Sequence, residues 1–264
     1  MPHAEPQADE SRAVVLHAEP QADVLQAEEP QATYTMPAHR LVLAAYSEFY
    51  KVLFVRWAKD DKTVKLEYDG PDDLAAAQAC IKALYLQKLD VDDLHLEPQN
   101  AVSILVKAIR WADMLQAPSC TELCIARLAD SFWPGSAEDV NVMLEGLPES
   151  VRSSPSFAKV RKVCQEWLQH TFTDVYEVIT KEDLQKAFRQ LCPRAVLLWM
   201  ECDNLMGTEN DVVALVTCWH EGEKGKASQE EDLVSLSRLL RVSQLARSIQ
   251  ECMLPELPWF REGR

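Results

Sequence analysis

The sequence predicts an α+β unit followed by an all-helical unit, and two patterns support that prediction. In the first half, residues 63–68 alternate polar and apolar side chains between stretches of helical spacing. Such alternation is typical of a half-buried strand. From Pro134 onward, amphipathic helical segments follow one another and almost no alternating pattern remains. We therefore expect a mixed first domain, an all-helical second domain and a boundary near Pro134.

The elements of the first half follow from hydrophobic spacing and turn residues. Short β-compatible pieces lie at 23–25 and 32–35, and apolar residues from Leu41 recur at helical spacing until about Phe54. After the strand at 63–68, the segment 69–72 forms a turn that also offers a helix cap. The remaining predictions for this half are a helix at 73–85, a short strand at 91–96, and helices at 100–112 and 120–132.

The second half is predicted to contain only helices, interrupted by a solvated loop at 222–226. The predicted helices span 136–145, 155–171, 174–179, 181–190, 193–201, 208–221 and 231–253. Tryptophans within helical apolar stripes are expected in the core, and these are Trp111, Trp167, Trp199 and Trp219. Trp57 and the segment 258–260 lie outside such stripes, and Trp57, in a polar loop, is a candidate exposed binding anchor.

The first residues differ in composition from the rest of the chain. The heptapeptide at 3–9 recurs identically at 17–23, and both copies are rich in Glu, Pro and Gln. Such a composition buries too little apolar surface to offset the entropy of ordering. We therefore expect residues 1–21 to form a disordered acidic tail. Within it, only residues 9–16 have a helical pattern, and an isolated helix of that length is marginal.

Charge and cysteine usage exclude several classes of protein. With 42 Asp and Glu against 27 Lys and Arg, the net charge of −15 argues against binding of nucleic-acid backbones. No apolar run is long enough to span a membrane, and the N-terminus lacks the pattern of a signal peptide. The 8 cysteines are scattered without a Cys-x-x-Cys pair, which predicts reduced thiols in a cytoplasmic or nuclear protein.

The sequence also gives no support for catalysis or metal binding. It lacks G-x-S-x-G, H-E-x-x-H, the P-loop and G-x-G-x-x-G, and only 7 glycines are available for phosphate loops. His39 has no nucleophile at a recognisable spacing, so a structural role is favoured over that of a catalytic base. Cys120 and Cys124 share a helix face, but no second pair completes a zinc site, and Cys202, Cys218 and His220 are too dispersed. We expect no enzyme activity, no catalytic residue, no metal and no cofactor.

The segment 37–50, Pro-Ala-His-Arg-Leu-Val-Leu-Ala-Ala-Tyr-Ser-Glu-Phe-Tyr, resembles the BTB/POZ domain family, in which a strand runs into a helix through a similar motif. Asp23 and Val24 stand where the family's first strand begins, Leu84 and Tyr85 resemble its Leu-Tyr pair, and 100–115 resembles its next helix. The residues that match the family signature are His39, Leu43, Ala44, Ser47 and Phe49.

The second half resembles the BACK domain, a helical module that commonly follows BTB. The similarity lies in the segments 192–199, 203–205, 209–213, 216–219 and 239–245. The resemblance implies a tail at 1–21, a BTB/POZ domain at 22–133 with a short mixed sheet, a BACK helical domain at 134–260 and a tail at 261–264. No kelch propeller follows in this sequence, so a substrate-reading propeller is not expected here.

The resemblance implies protein interaction, because BTB domains dimerise and BTB-BACK proteins typically act as adaptors for cullin-3 ubiquitin ligases. Cullin-binding members often carry a hydrophobic-x-Glu triplet after the signature helix, and residues 58–60 are only a weak version of it. The candidate cullin-contact residues are Phe54, Val55, Trp57 and Asp60. The alternatives are a BTB scaffold outside ubiquitin ligases, which mediates homo- or hetero-association, and a fragment without a function of its own.

The resemblance also implies a homodimer surface, with an unidentified protein substrate as a further partner. Asp23 and Arg40 match a charged pair that BTB domains place near their dimer surface, and a plain surface salt bridge is the alternative. Many BTB dimers use a long helix before the first strand, whereas this chain has the Pro-interrupted repeat there.

Overall fold

The chain divides into two structural units, each described here by itself. The computed structural model describes residues 11–18, 33–57, 63–89 and 101–261. The first unit comprises the described residues up to Leu128 together with Pro148–Arg152, and the second comprises Ala129–Leu147 and the residues from Ser153 onward. The chain thus passes from one unit to the other before the predicted boundary at Pro134. No helix in the described ranges is both long and apolar enough to cross a membrane.

A three-stranded mixed sheet lies in the first unit, with the strand order β2-β1-β3. β1 (Ser11–Ala18) pairs antiparallel with β2 (Thr33–His39) and parallel with β3 (Thr63–Tyr68). Val14 lies opposite Met36 on one side and Val64 on the other. The strand predicted at 63–68 is confirmed, and its apolar residues alternate with exposed ones as expected.

The central strand corrects the predictions for the start of the chain. Residues 9–16 were expected to be at most a marginal helix within a disordered tail, yet Ser11–Ala18 form β1. The physical reason is the run Val14-Val15-Leu16, because β-branched residues favour strands once two neighbouring strands supply hydrogen bonds. The strand predicted at 23–25 and the one at 91–96 lie outside the described residues.

The helix expected from Leu41 to Phe54 is divided into three pieces. α1 (Arg40–Tyr46) and α2 (Glu48–Val52) are separated by Ser47, and a π-helical turn covers Leu53–Trp57. Ser47 has an extended backbone, and its buried hydroxyl donates to the Leu115 carbonyl oxygen at 2.5 Å and accepts from the Tyr50 N–H. A serine that caps the next helix ends the preceding one.

Three longer helices complete the first unit. α3 (Gly70–Leu86) packs against α4 (Ala101–Met114), and α5 (Pro118–Ser131) follows after a short turn. Each starts and ends within a few residues of its predicted position. The turn before α5 places Gln116 at a positive φ of 50°, which is uncommon for a residue other than glycine.

The second unit is built from helices, as the sequence predicted. Their bounds are α6 (Ala137–Glu145), α8 (Phe157–Phe172), α9 (Val175–Thr180), α10 (Glu182–Arg189), α11 (Pro193–Met200), α12 (Glu209–His220), α13 (Glu223–Lys226) and α14 (Glu230–Leu239). The short helix α7 (Glu149–Arg152) lies within the segment that belongs to the first unit.

Two predictions for the second unit are wrong. The segment 222–226 is not a solvated loop, because α13 forms there and Gly225 is buried so close to α12 that a Cβ atom would lie 2.5 Å from the Trp219 carbonyl oxygen. The helix predicted at 231–253 ends at Leu239. Just beyond it, the Arg241 N–H donates to the Glu209 carboxylate, which holds the chain away from a helical path.

Tryptophans organise the core of the second unit. The indole N–H of Trp199 donates to the Phe172 carbonyl oxygen at 3.0 Å, and that of Trp219 donates to the Leu191 carbonyl oxygen at 2.8 Å. Trp259 is also fully buried and donates to the Thr217 hydroxyl, so the Trp259 side chain of the 258–260 segment belongs to the core. The four tryptophans expected in the core are all buried.

Candidate protein-interaction surface

The signature residues around α1 fix the junction between strand and helix. The His39 backbone N–H donates to the Tyr85 hydroxyl on α3, and the two rings lie 6.0 Å apart. Leu43 is buried, Ala44 is half-buried, and Phe49 packs edge-on against Tyr50. These contacts place His39 at the start of α1, and the structural role of its side chain stays a prediction.

The opposite face of α1 is apolar and exposed. Leu41 is 69% exposed and Ala45, one turn later, is exposed beside it on the same face. Tyr46 at the end of α1 and Tyr34 on β2 are each 41% exposed. Contiguous exposed apolar patches mark surfaces that bind other proteins, so Leu41 and Ala45 make this face of α1 a candidate interaction surface.

Arg40 and Phe54 form a contact that the sequence did not indicate. The guanidinium carbon of Arg40 lies 5.0 Å from the centre of the Phe54 ring, and its Nη2 donates to the Phe54 carbonyl oxygen. The Phe54 ring also stacks on Tyr50 at 5.7 Å. A cation over an aromatic face is attractive, so Arg40 ties α1 to the π-helical turn. Asp23, the predicted partner of Arg40, lies outside the described residues.

The burial of Phe54 corrects one candidate contact. Its side chain is only 2% exposed, so in this structure it supports the π-helical turn from inside and cannot itself present a contact surface. Val55 points outward and is 60% exposed, and Val52 on the preceding turn is 41% exposed. Arg56 is exposed as well. Asp60 and the side chain of Trp57 lie outside what the structure describes.

Sequence reasoning missed some exposed apolar residues of the second unit. Trp133, Tyr176 and Met206 are each more than half exposed. Trp133 packs edge-on against His170 at 6.3 Å between ring centres, and Met206 forms an isolated backbone bridge with Asp174. Periodicity assigned Tyr176 to a helix but could not show which face of that short helix turns outward.

The second unit also contains a polar cleft of about 580 Å³. Both carboxylates and cations line its walls, which are formed by α6, α10 and the α12–α13 connection. Its charged residues are Glu138, Glu182, Lys186, Arg189, Glu223 and Lys224. Within the ranges that the structure describes, no group of three or more His, Cys, Asp or Glu side chains is placed to hold a metal ion.

The structure thus comprises an α+β unit with a three-stranded mixed sheet and a helical unit. The BTB/POZ domain family matches residues 22–131. Residues 22–131 therefore contain a BTB/POZ domain, and the helical fold of the second unit is consistent with a BACK domain.

Comparison with characterised proteins finds kelch-like relatives. Kelch-like protein 41 of Homo sapiens is 25% identical over 177 residues, and that of Rattus norvegicus is 24% identical, each match covering 64% of this chain and 27% of the relative. Kelch-like protein 28 of Mus musculus is 24% identical over 172 residues, covering 63% of this chain and 28% of the relative. The matches extend beyond the BTB/POZ region, and the chain spans little more than a quarter of the length of these relatives.

Proposed function

We propose that this chain is a substrate adaptor of a cullin-3 RING ubiquitin ligase, which it contacts through the π-helical turn Leu53–Trp57. The observation that carries the proposal is Val55, an exposed apolar side chain on a turn whose neighbour Phe54 is held in the core. BTB proteins of the kelch-like type bind cullin-3 and dimerise, and this chain has kelch-like relatives across its BTB region.

The anchoring of Phe54 supports this role for the turn. Arg40 and Tyr50 hold the Phe54 ring from two sides, so the backbone that carries Val55 is fixed before any partner arrives. A surface that is already ordered loses less conformational entropy on binding. Phe54 and Arg40 thus act as positioning residues, whereas Val55, with Trp57 and Asp60 beyond it, forms the proposed contact.

The exposed face of α1 is the proposed dimer surface. Leu41 and Ala45 lie on one side of α1 and present an apolar patch that a second copy would cover. The signature residue Leu43 lies on the buried side and holds α1 in place. The charged pair between Asp23 and Arg40 stays a prediction.

The second candidate function is a BTB scaffold outside ubiquitin ligases. Two observations favour it: residues 58–60 are only a weak version of the cullin-binding triplet, and one face of α1 is exposed. Self-association would need only that exposed face of α1. In both cases the expected compartment is the cytoplasm or the nucleus. The helical second unit is proposed to act as a BACK domain, which sets the geometry between the cullin and the substrate.

Size-exclusion chromatography with light scattering on the full chain, mixed with a cullin-3 N-terminal domain, tests the adaptor proposal. We expect a complex of two chains and two cullin domains, and we expect Val55→Asp to weaken it at least tenfold, because a carboxylate would have to be desolvated at the contact. The matched control is Val242→Asp, which changes an exposed valine of the second unit and should leave the complex unchanged.

The same measurement separates the alternatives. A complex that forms but is insensitive to Val55→Asp would remove the π-helical turn from the contact. No complex, with the mass of a dimer for the free chain, would favour the scaffold. A one-to-one complex would keep the adaptor and reject the dimer surface on α1.

A further inference from the structure

Three cysteines meet in the interior of the first unit, on two helices that are distant in sequence. Cys80 lies on α3, and Cys120 and Cys124 lie one turn apart on α5. The Sγ atoms of Cys80 and Cys120 are 3.5 Å apart, and Cys120 Sγ also lies 3.7 Å from the Cys80 carbonyl oxygen. All three side chains are buried. A disulfide bond needs about 2.05 Å between sulfur atoms, so a movement of roughly 1.5 Å would join α3 to α5.

We propose that Cys80 and Cys120 form a reversible disulfide when hydrogen peroxide oxidises the domain, with Cys124 as the neighbour that activates Cys120. This modification is independent of cullin binding. Cys80 and Cys120 are the proposed pair because they come from different helices and their sulfur atoms are already in contact. Cys124 is one turn from Cys120 on the same helix, and its side chain is also buried.

The reaction takes place in two balanced steps. The Cys120 thiolate attacks one oxygen of hydrogen peroxide, the O–O bond breaks, and the released hydroxide takes a proton, which gives a sulfenic acid and water. The Cys80 sulfur then attacks the sulfenic sulfur, the S–O bond breaks, and a second water leaves with the Cys80 proton. The two thiols are oxidised by two electrons, and one peroxide is reduced to two waters. A dithiol reductant reverses the product.

The surroundings favour Cys120 as the attacking sulfur. Hydrogen bonds from Cys124 and Cys80 lower the pKa of Cys120 well below its usual range, against the effect of burial. The hydrogen bond with Cys120, together with burial, raises the pKa of Cys80. The thiolate is the nucleophile in such reactions, so the two sulfurs differ in role: Cys120 attacks first and Cys80 resolves the intermediate.

The second unit offers a buried comparator. Cys164 is fully buried, and burial raises its pKa to about 12, with Cys192 contributing. Cys164 is therefore a protonated thiol with low reactivity toward peroxide. Two further cysteines, Cys218 and Cys252, are less buried and would react with peroxide or between chains. Replacing both cysteines by serine removes these competing reactions.

The test uses the full chain carrying Cys218→Ser and Cys252→Ser, exposed to hydrogen peroxide for a series of times. Catalase stops the reaction, N-ethylmaleimide in urea blocks the remaining thiols, and trypsin digestion without reductant precedes mass spectrometry. We expect the peptide 66–82 joined to the peptide 111–127, two hydrogens lighter than their sum, with one maleimide on Cys124. The linked species should disappear on treatment with dithiothreitol.

Two variants distinguish the mechanism from a general effect of oxidation. Cys124→Ala is expected to slow disulfide formation at least threefold, because Cys120 loses a hydrogen-bond donor, whereas Cys164→Ala should leave the rate unchanged. Circular dichroism establishes that both variants are folded. An equal rate in Cys124→Ala and the parent would overturn the activating role of Cys124.

Two outcomes would overturn the proposal. In the first, a peroxide exposure that oxidises Cys252 in the unsubstituted chain would leave Cys80, Cys120 and Cys124 all carrying maleimide, and no linked peptide would appear. A link through Cys124 instead of Cys120 would equally reject the assigned pair.

Discussion

Among the described residues, the two units differ in whether they contain buried side-chain polar atoms without a hydrogen-bond partner. In the helical unit, the Trp199 and Trp219 indole N–H groups each donate to a backbone carbonyl, and the buried Asn141 accepts from the Cys192 N–H and donates to the Gln190 carbonyl. In the BTB unit, the Tyr50 hydroxyl and Arg127 Nε are buried without a partner among the described residues. The same unit holds the three thiols in contact. A buried polar group that is paired specifies one packing arrangement, whereas an unpaired one lowers stability.

Among the substitutions that test this difference, Trp199→Ala is expected to change the free energy of unfolding most. Trp199 is fully buried, packs against Phe188 at 4.8 Å between ring centres, and bonds to Phe172. Removing a large aromatic side chain from a core costs about 3–5 kcal/mol. We expect the urea midpoint of the helical unit to fall accordingly, as measured by far-UV circular dichroism.

The control for that measurement is Trp133→Ala, because Trp133 is an exposed tryptophan of the same unit. It should change the free energy of unfolding by less than about 0.5 kcal/mol. Equal losses for the two variants would show that burial of the ring is not what stabilises the helical unit.

The next effect, about 2 kcal/mol, is expected from Asn141→Leu. Leucine has a similar size but leaves the Cys192 N–H and the Gln190 carbonyl buried without their side-chain partner, and each such group costs about 1–3 kcal/mol when it has no other partner. Urea unfolding measures the loss. Glu138→Gln, which keeps a weak acceptor 3.3 Å from Asn141, is the control and should be near neutral. A gain in stability for Asn141→Leu would break the comparison, since it would show that the paired amide costs more than it contributes.

The elements that the sequence predicted correctly are those whose pattern lies within a short segment of the chain. The alternation at 63–68 predicted β3, and helical spacing predicted the second unit, because both patterns are local. The break at Ser47 depends on a carbonyl 68 residues away, and the burial of Trp259 depends on a hydroxyl 42 residues away. Such long-range hydrogen bonds leave no periodic pattern in the sequence.

Prediction of the candidate contact segment was likewise limited by side-chain contacts that leave no pattern in the sequence. The sequence predicts a contact in the segment after α2, which stays a prediction, but it could not separate the buried residue of that segment from the exposed one. Phe54 and Val55 are neighbours that are both apolar, and the contacts of Arg40 and Tyr50 with the Phe54 ring, which the sequence does not reveal, accompany the burial of Phe54. Arg40 had been assigned instead to a charged pair, which made its contact with an aromatic ring unexpected.

Tyr50→Phe is expected to have the smallest effect on the free energy of unfolding. It also tests the difference between the two units most directly. The substitution keeps the ring that stacks on Phe54 and removes only the hydroxyl that has no partner among the described residues. Because an unpaired buried hydroxyl opposes folding, we expect the free energy of unfolding to rise by about 0.5 kcal/mol. Urea unfolding of the BTB unit gives the sign. A loss of more than about 1 kcal/mol would mean that a residue outside the described ranges bonds to this hydroxyl, and the BTB unit would then bury its polar groups as the helical unit does.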